Sequence, residues 1–291
     1  MSLNEKTVLY QLCETSDLMM SFLIITKNNN AIVIDGGRSA DMPLLKKHIG
    51  GRHISAWILT HAHYDHVSGF LDEFRKNGAA DFDIEKVYFN FPPMELTENK
   101  NVPWYDGYFA DMTGDLPAFY EVLPKFKDKA VIPQKGDTLK IDECEIEFLY
   151  TWHKGLTANV MNDSSLVFKV LTPNKSVLFL GDLGPEGGDI LFYESHSKLK
   201  SDIVQMAHHG HSNVSMEVYA EIMPEACMWC CADRLYNEEP DLSYFDGKSA
   251  DELFKTRQIR MRGTKLTRKW MDILGVKTHY VAKDGINKIE L

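Results

Sequence analysis

Short runs that are apolar on successive residues constrain the fold of this 291-residue chain more than any other feature. SFLIIT (21–26), AIVID (31–35), AWILT (56–60), KVYF (86–89), EIEFLY (145–150), SLVFKV (165–170), SVLFL (176–180), DIVQMA (202–207) and ACMWCC (226–231) recur along its length. A strand wetted on one face alternates apolar with polar residues, so a run lacking that alternation is covered on both faces. Helical periodicity falls between some of the runs, at 67–76, 115–126, 214–222 and 264–274; in the last, Leu266, Trp270 and Leu274 share one face. Covered strands mixed with helices imply a layered α/β structure. With no linker rich in Pro, Gly or Ser, 1–291 reads as a single domain. The proline- and aromatic-rich stretch NFPPMELTENKNVPWYDGYFADMTG (90–114) reads as an insertion over its surface.

The 32 basic and 42 acidic residues give a net charge of -10. Duplex nucleic acid and anionic membranes attract positive fields, so neither is an expected partner. A small anionic substrate held by a metal remains compatible with that charge. No apolar stretch is long enough to span a bilayer, and the first residues lack the basic and apolar pattern of a signal peptide. Cys13, Cys144, Cys227, Cys230 and Cys231 are odd in number and show no framework spacing, which suits a reduced, cytoplasmic protein. The C-x-x-C at 227–230 lies in an apolar run and reads as a buried strand using cysteine as a small hydrophobe.

Directly after AWILT stands HAHYDH (61–66). Side chains released where a strand ends gather at the carboxyl edge of an α/β sheet. His61 and His63 alternate past Ala62, so both rings can point the same way, while Asp65 and His66 lie on the turn into the following helix. Imidazoles with carboxylates suit zinc, manganese or iron. Four such groups in six residues exceed what one closed tetrahedral site draws from so short a stretch, which points to two divalent metals in one cleft.

HAHYDH is similar to the H-x-H-x-D-H signature of the metallo-β-lactamase superfamily, and further landmarks follow in order. AIVIDGG places Asp35 where that family has a buried aspartate that orients backbone. SVLFLGD places Asp182 at the metal-bridging aspartate, and DIVQMAHHGH places His208 and His209 at the last ligand motif. The resemblance implies an αββα sandwich: two mixed β-sheets flanked by helices, with metals at one edge. NDSSLVF (162–168), LFLGD (178–182), HHG (208–210) and the tail at 275–291 most resemble the ComEC-type branch and the related phosphorylcholine esterases. The resemblance assigns His61, His63, Asp65, His66, Asp182 and His208 to the metals, with Asp65 and His209 in catalytic places. One landmark departs: the third motif, Met161-Asn162-Asp163-Ser164-Ser165, holds no histidine, and His153 is the nearest spare. The fourth partner of the first metal is then His209, Asp163 or water, with Asn162, Asp163 and Asp35 as additional ligands or supports.

A metal-bound hydroxide needs no serine or cysteine nucleophile, and no G-x-S-x-G elbow is present. The expected function is hydrolysis of a phosphoester, a small phosphodiester or nucleotide-like molecule. The run FKTRQIRMRGTKLTRKW (254–270), basic and without an acidic residue, would serve as an anion-facing lip. Trp104, Tyr105 and Tyr108, with Phe109, would box a base or a choline-like cation. The alternatives are hydrolysis of a carboxylic ester, thioester, lactone or lactam, redox chemistry at two irons, and a non-catalytic binding protein with a degenerate first site.

Overall fold

The apolar runs are strands whose two faces meet different cores. In the computed structural model, which describes residues 6–14, 18–97, 115–156, 159–238 and 263–291, Phe22, Ile24, Ile32, Ile34, Ala56 and Ile58 point one way. Their neighbours Leu23, Ala31, Val33 and Trp57 point the other. The first set meets Phe148, Phe168, Val177, Phe179 and Met228 of a second sheet, forming the centre of a sandwich. The second set is covered by helices Met42–Ile49, Tyr64–Asn77 and Leu116–Val122. On the far side, Leu178, Val204, Cys227 and Trp229 are covered by helices Pro185–Ser195, Met216–Ile222 and Lys265–Ile273. The fold is the expected αββα sandwich.

Among the described residues, the first sheet holds β1 (Val8–Gln11), β2 (Ser21–Ile25), β3 (Ala31–Asp35), β4 (His53–Ile58), β5 (Asp83–Ile84), β6 (Val87–Tyr88), β7 (Ala130–Val131) and β15 (Asn287–Glu290). Its order is β15-β1-β2-β3-β4-β6-β7, with β5 pairing β4. The second holds β8 (Thr138–Ile141), β9 (Cys144–Tyr150), β10 (Val167–Leu171), β11 (Ser176–Phe179), β12 (Ile203–Gln205), β13 (Ala226–Trp229) and β14 (Thr278–Val281), ordered β14-β13-β12-β11-β10-β9-β8. Both sheets are mixed: β3-β4-β6-β7, the β4·β5 pair and β11-β12-β13-β14 run parallel, the other neighbours antiparallel. Across the sandwich Phe22 meets Phe179 edge-on at 5.1 Å, and Phe179 stacks on Phe168 at 5.1 Å. Truncating so well packed a ring costs about 3–5 kcal/mol.

The structure sharpens several expectations. The helix after the histidine run starts at Tyr64 and not near Val67, so Asp65 and His66 lie in its first turn. His63 is its N-cap in extended conformation, and Asp65 complements the helix dipole there. Ala56 to Ile58 of AWILT end a strand that begins at His53, and Leu59 and Thr60 follow it. The C-x-x-C lies on β13 and just beyond it, buried throughout, with burial pushing the Cys227, Cys230 and Cys231 thiols up. No helix among the described residues is long and apolar enough to cross a membrane.

Candidate metal centre

Parallel strands deliver their carboxyl ends to one edge, and both sheets do so here. β3 ends on Asp35, β4 leads into Thr60 and HAHYDH, β11 leads into Gly181-Asp182, and β12 leads into His208-His209. Backbone hydrogen bonds join these ends: Leu166 N–H to Thr60 O (2.8 Å), His208 N–H to Gly181 O (3.0 Å) and Gly36 N–H to His66 O (2.8 Å). The edge therefore spans the seam between the sheets.

Asp35 is fully buried and faces no metal position. Its Oδ1 accepts the Thr60 N–H (2.7 Å), and its Oδ2 accepts the Thr60 hydroxyl (2.8 Å) and His66 Nδ1–H (2.7 Å). With Nδ1 committed to Asp35, Nε2 is the His66 nitrogen turned into the centre, where it is buried without a hydrogen-bond partner. His209 repeats the arrangement with a different anchor: Nδ1–H donates to the Cys230 carbonyl (2.7 Å), and Nε2 is left without a hydrogen bond. A carboxylate or carbonyl holding the far nitrogen, with the near nitrogen bare, is how a metal-binding histidine is oriented.

Asp182 stands in the middle. Its Oδ1 lies 3.3 Å from His66 Nε2, and its Oδ2 lies 3.8, 3.5 and 3.6 Å from the Nε2 atoms of His61, His208 and His209. Asp65 Oδ2 is 3.0 Å from His209 Nε2, off the line of a hydrogen bond. Among the described residues, two groups converge closely enough to hold a cation: His61, His66 and Asp182, and Asp65, His66 and His209, each with ligand atoms within 4.8 Å of one another. The residues thus fit a metal pair on two counts: orphaned ring nitrogens aimed at carboxylates, and a donor set of imidazoles and carboxylates.

Electrostatics agree. Burial alone would push Asp182 and Asp65 up, but the neighbouring imidazoles hold both below the usual carboxylate range. Burial alone would push His66 and His209 down, but the carboxylates raise both. His61 is lowered well below its ordinary value, by burial and then by the charges of His66, His63 and His209. Two buried carboxylates demand compensating positive charge, from protons on imidazoles or from a cation.

The remaining expected residues are placed differently. His63 sits at the rim, partly exposed, with Nδ1 2.9 Å from His61 Nε2. His208 reaches Asp182 but stands outside both convergent groups, and His209 stands inside one. Asp163 turns away: its Oδ1 accepts the Gly187 N–H (2.8 Å) at the start of helix Pro185–Ser195. Burial pushes its carboxyl up to about 7. Asn162 lies with Nδ2 3.5 Å from His208 Nδ1. His153 is exposed, its Nδ1 accepting the Gly155 N–H (3.0 Å) in a local turn. Trp104, Tyr105, Tyr108 and Phe109 lie outside the described residues, as do 254–262 of the basic run. Within the described part of that run, Arg268 lies over the Tyr236 ring at 4.1 Å.

Sequence reasoning passed over Thr60, which braces Asp35, and Asn213, whose Nδ2 lies between His208 Nδ1 (2.7 Å) and the Asp182 carbonyl (3.1 Å). Thr60 directly precedes the histidine run and could have been suspected; nothing local marks Asn213. Also unmarked was the backbone of His208 (φ 50°), His209 (φ 57°) and Gly210 (φ 93°), all left-handed. Successive strand residues face opposite ways. Here the left-handed turn brings both adjacent rings to the same Asp182 oxygen.

A profile of the metallo-beta-lactamase superfamily matches residues 20–223, from before Asp35 to beyond His209. The chain belongs to that superfamily, whose members are chiefly metal-dependent hydrolases. No curated protein matches it. Among solved structures it is similar to YhfI, a metallo-beta-lactamase fold protein from Bacillus subtilis, at 11% identity and TM-score 0.52, covering 97% of this chain and 100% of that one. It is also similar to Tm1679, a metal-dependent hydrolase of the beta-lactamase superfamily, at 12% identity and TM-score 0.52, covering 98% and 99%. A third likeness is to CmlA, a diiron beta-hydroxylase from Streptomyces venezuelae, at 11% identity and TM-score 0.53; it covers 99% of this chain and 55% of that one. At such identities the likeness is one of fold.

Proposed function

We propose that the chain is a metal-dependent hydrolase acting on a phosphoester of a small anionic substrate. The observation that carries the reading is the set of bare, buried ring nitrogens of His66 and His209 gathered with those of His61 around the Asp182 carboxylate. His61, His63 and Asp182 would hold one divalent cation, and Asp65, His66, His209 and Asp182 the other, with zinc as the expected metal and manganese or iron as alternatives. Such a pair supplies Lewis acidity towards the oxygens of the bond to be broken and lowers the pKa of water towards about 7.

The chain's own residues do the rest. Asp182 lies between the two groups and fixes their separation. Asp35 and the Cys230 carbonyl hold His66 and His209 in the required tautomer. Asp65 orients the attacking water and accepts its proton. A phosphoester is favoured over an acyl substrate by the likeness of NDSSLVF, LFLGD and HHG to the ComEC-type and phosphorylcholine-esterase branch, and by the basic run at 254–270. Trp104, Tyr105 and Tyr108 are proposed as a substrate wall. The five unpaired cysteines suit a cytoplasmic setting.

The test measures metal per chain and compares turnover of an aryl phosphodiester, an aryl ester and a lactone. Two metals per chain, with phosphodiester turnover abolished in Asp182→Ala, is the expected result. Turnover confined to the ester or lactone moves the assignment to acyl chemistry. A protein that binds metal and turns over none of the three is a binding protein.

A further inference from the structure

His208 and His209 present opposite polarity to the same carboxylate. His209 donates its Nδ1–H to the Cys230 carbonyl, so Nε2 is the nitrogen that can offer a lone pair to a cation in the centre. In His208 the order is reversed. Its Nδ1 lies 2.7 Å from Asn213 Nδ2, and that amide's orientation is fixed by a second contact. The same Nδ2 reaches the Asp182 backbone carbonyl at 3.1 Å, an atom that can only accept. The Asn162 Nδ2 faces His208 Nδ1 as well, at 3.5 Å. His208 Nδ1 is therefore an acceptor, and a neutral imidazole has one acceptor and one donor. The ring proton sits on Nε2, 3.5 Å from Asp182 Oδ2.

A ring nitrogen that carries a proton has no lone pair for a cation. We propose that His208 is a hydrogen-bond donor to the substrate: its Nε2–H meets an oxygen of the phosphoryl group as negative charge grows there, while the neighbouring His209 serves as the metal ligand. This assignment rests on the metal-hydrolase reading and divides the labour within it. The third motif, which holds no histidine, takes part through Asn162, whose amide faces His208 Nδ1 and helps hold it in the donor tautomer. The donor role fits the strained backbone too. A non-glycine residue in the left-handed region costs roughly 1 kcal/mol, and such strain persists where it places a functional group. His211, its ring 4.9 Å from that of His208 and its Nδ1 accepting the Gly263 N–H (2.9 Å), packs beside the donor.

The experiment uses the full chain loaded with zinc. Metal per chain, kcat and KM for an aryl phosphodiester are measured for the unaltered protein and for His208→Ala, His208→Gln and His209→Ala. His209→Ala is expected to lose bound zinc. His208→Ala is expected to keep the full zinc content while kcat falls roughly 100-fold with KM little changed, the signature of a donor that acts on developing charge. His208→Gln retains an N–H donor and regains part of the loss. Long-range proton–nitrogen correlation spectra of the zinc-loaded protein should show the His208 proton on Nε2 and the His209 proton on Nδ1; this readout needs no variant to fold. Zinc lost from His208→Ala or His208→Gln as from His209→Ala, or a proton on Nδ1 of His208, overturns the assignment and leaves the hydrolase reading standing. An unaltered protein that binds no zinc, manganese or iron overturns both.

Discussion

The centre has two halves made by different means. The half from the first sheet is one strand-to-helix turn, HAHYDH, with His61, His63, Asp65 and His66 inside six residues, steadied from behind by the buried Asp35 and Thr60. The half from the second sheet gathers Asp182, His208 and His209 from the ends of two strands. It depends on backbone held in the left-handed region at Gly181, His208, His209 and Gly210. In the first half the order of residues along the chain places the ligands, and only the brace behind them, Asp35 (φ 53°), is left-handed. In the other, conformation does it, at an energetic cost repaid by the packing around it.

Exchanges in each half probe that contrast. Asp182→Ala has the largest expected effect, because Asp182 contacts rings from both halves; metal analysis should find both cations gone and phosphodiester turnover at background. Retention of one metal would show that Asp182 serves a single half. Gly210→Ala comes next. Its φ of 93° is unsuited to a side chain, and a Cβ would lie 2.6 Å from the Trp229 ring, so urea unfolding should show a loss of about 3–5 kcal/mol. A near-neutral result would mean that the second half does not depend on its twist.

Asp163→Asn tests whether the third motif touches the centre at all. Burial raises the carboxyl from 3.8 to about 7. The unfolded chain thus ionises first, and the native state loses stability as pH rises across that window. The asparagine variant lacks this slope. It should exceed the unaltered protein in stability at pH 8 by on the order of 4 kcal/mol, with unchanged metal content. Metal loss would return Asp163 to the ligand set. Asp35→Asn weakens the brace of the first half, and competition with a chelator should show metal affinity down about 10–100-fold. His153→Ala should change stability by no more than about 0.5 kcal/mol and leave metal content alone, since that ring is exposed and bonded only to its own turn.

The same contrast explains what could be read in the sequence. Doubly covered strands announce themselves as unbroken apolar runs, so β2, β3, β4, β6 and β9 to β13 were visible. The edge strands β7, β8, β14 and β15 are short and half-wet and were not, nor was β1, which alternates between half-buried and buried residues beside β15. Helix Met42–Ile49 carried signals that were passed over: a proline in its first turn and Gly50 just beyond its end. Helix Pro185–Ser195 hides behind Gly187 and Gly188. Gly187 is needed because a Cβ there would meet Leu183 at 2.6 Å. HAHYDH was legible because its four groups are neighbours along the chain. The split between His208 and His209 was not, since it rests on an amide at Asn213 and a carbonyl at Cys230, and no local spacing encodes either.

The placement of the centre across the seam has a mechanical meaning. On the proposed reading, a cation touching His66 and Asp182 at once rivets one slab of the sandwich to the other, and it can seat only after both slabs have docked. Loading with metal should therefore raise the melting temperature in proportion to occupancy, and a chelator should first loosen the rim where the rivet sat, leaving the aromatic interior around Phe179 closed.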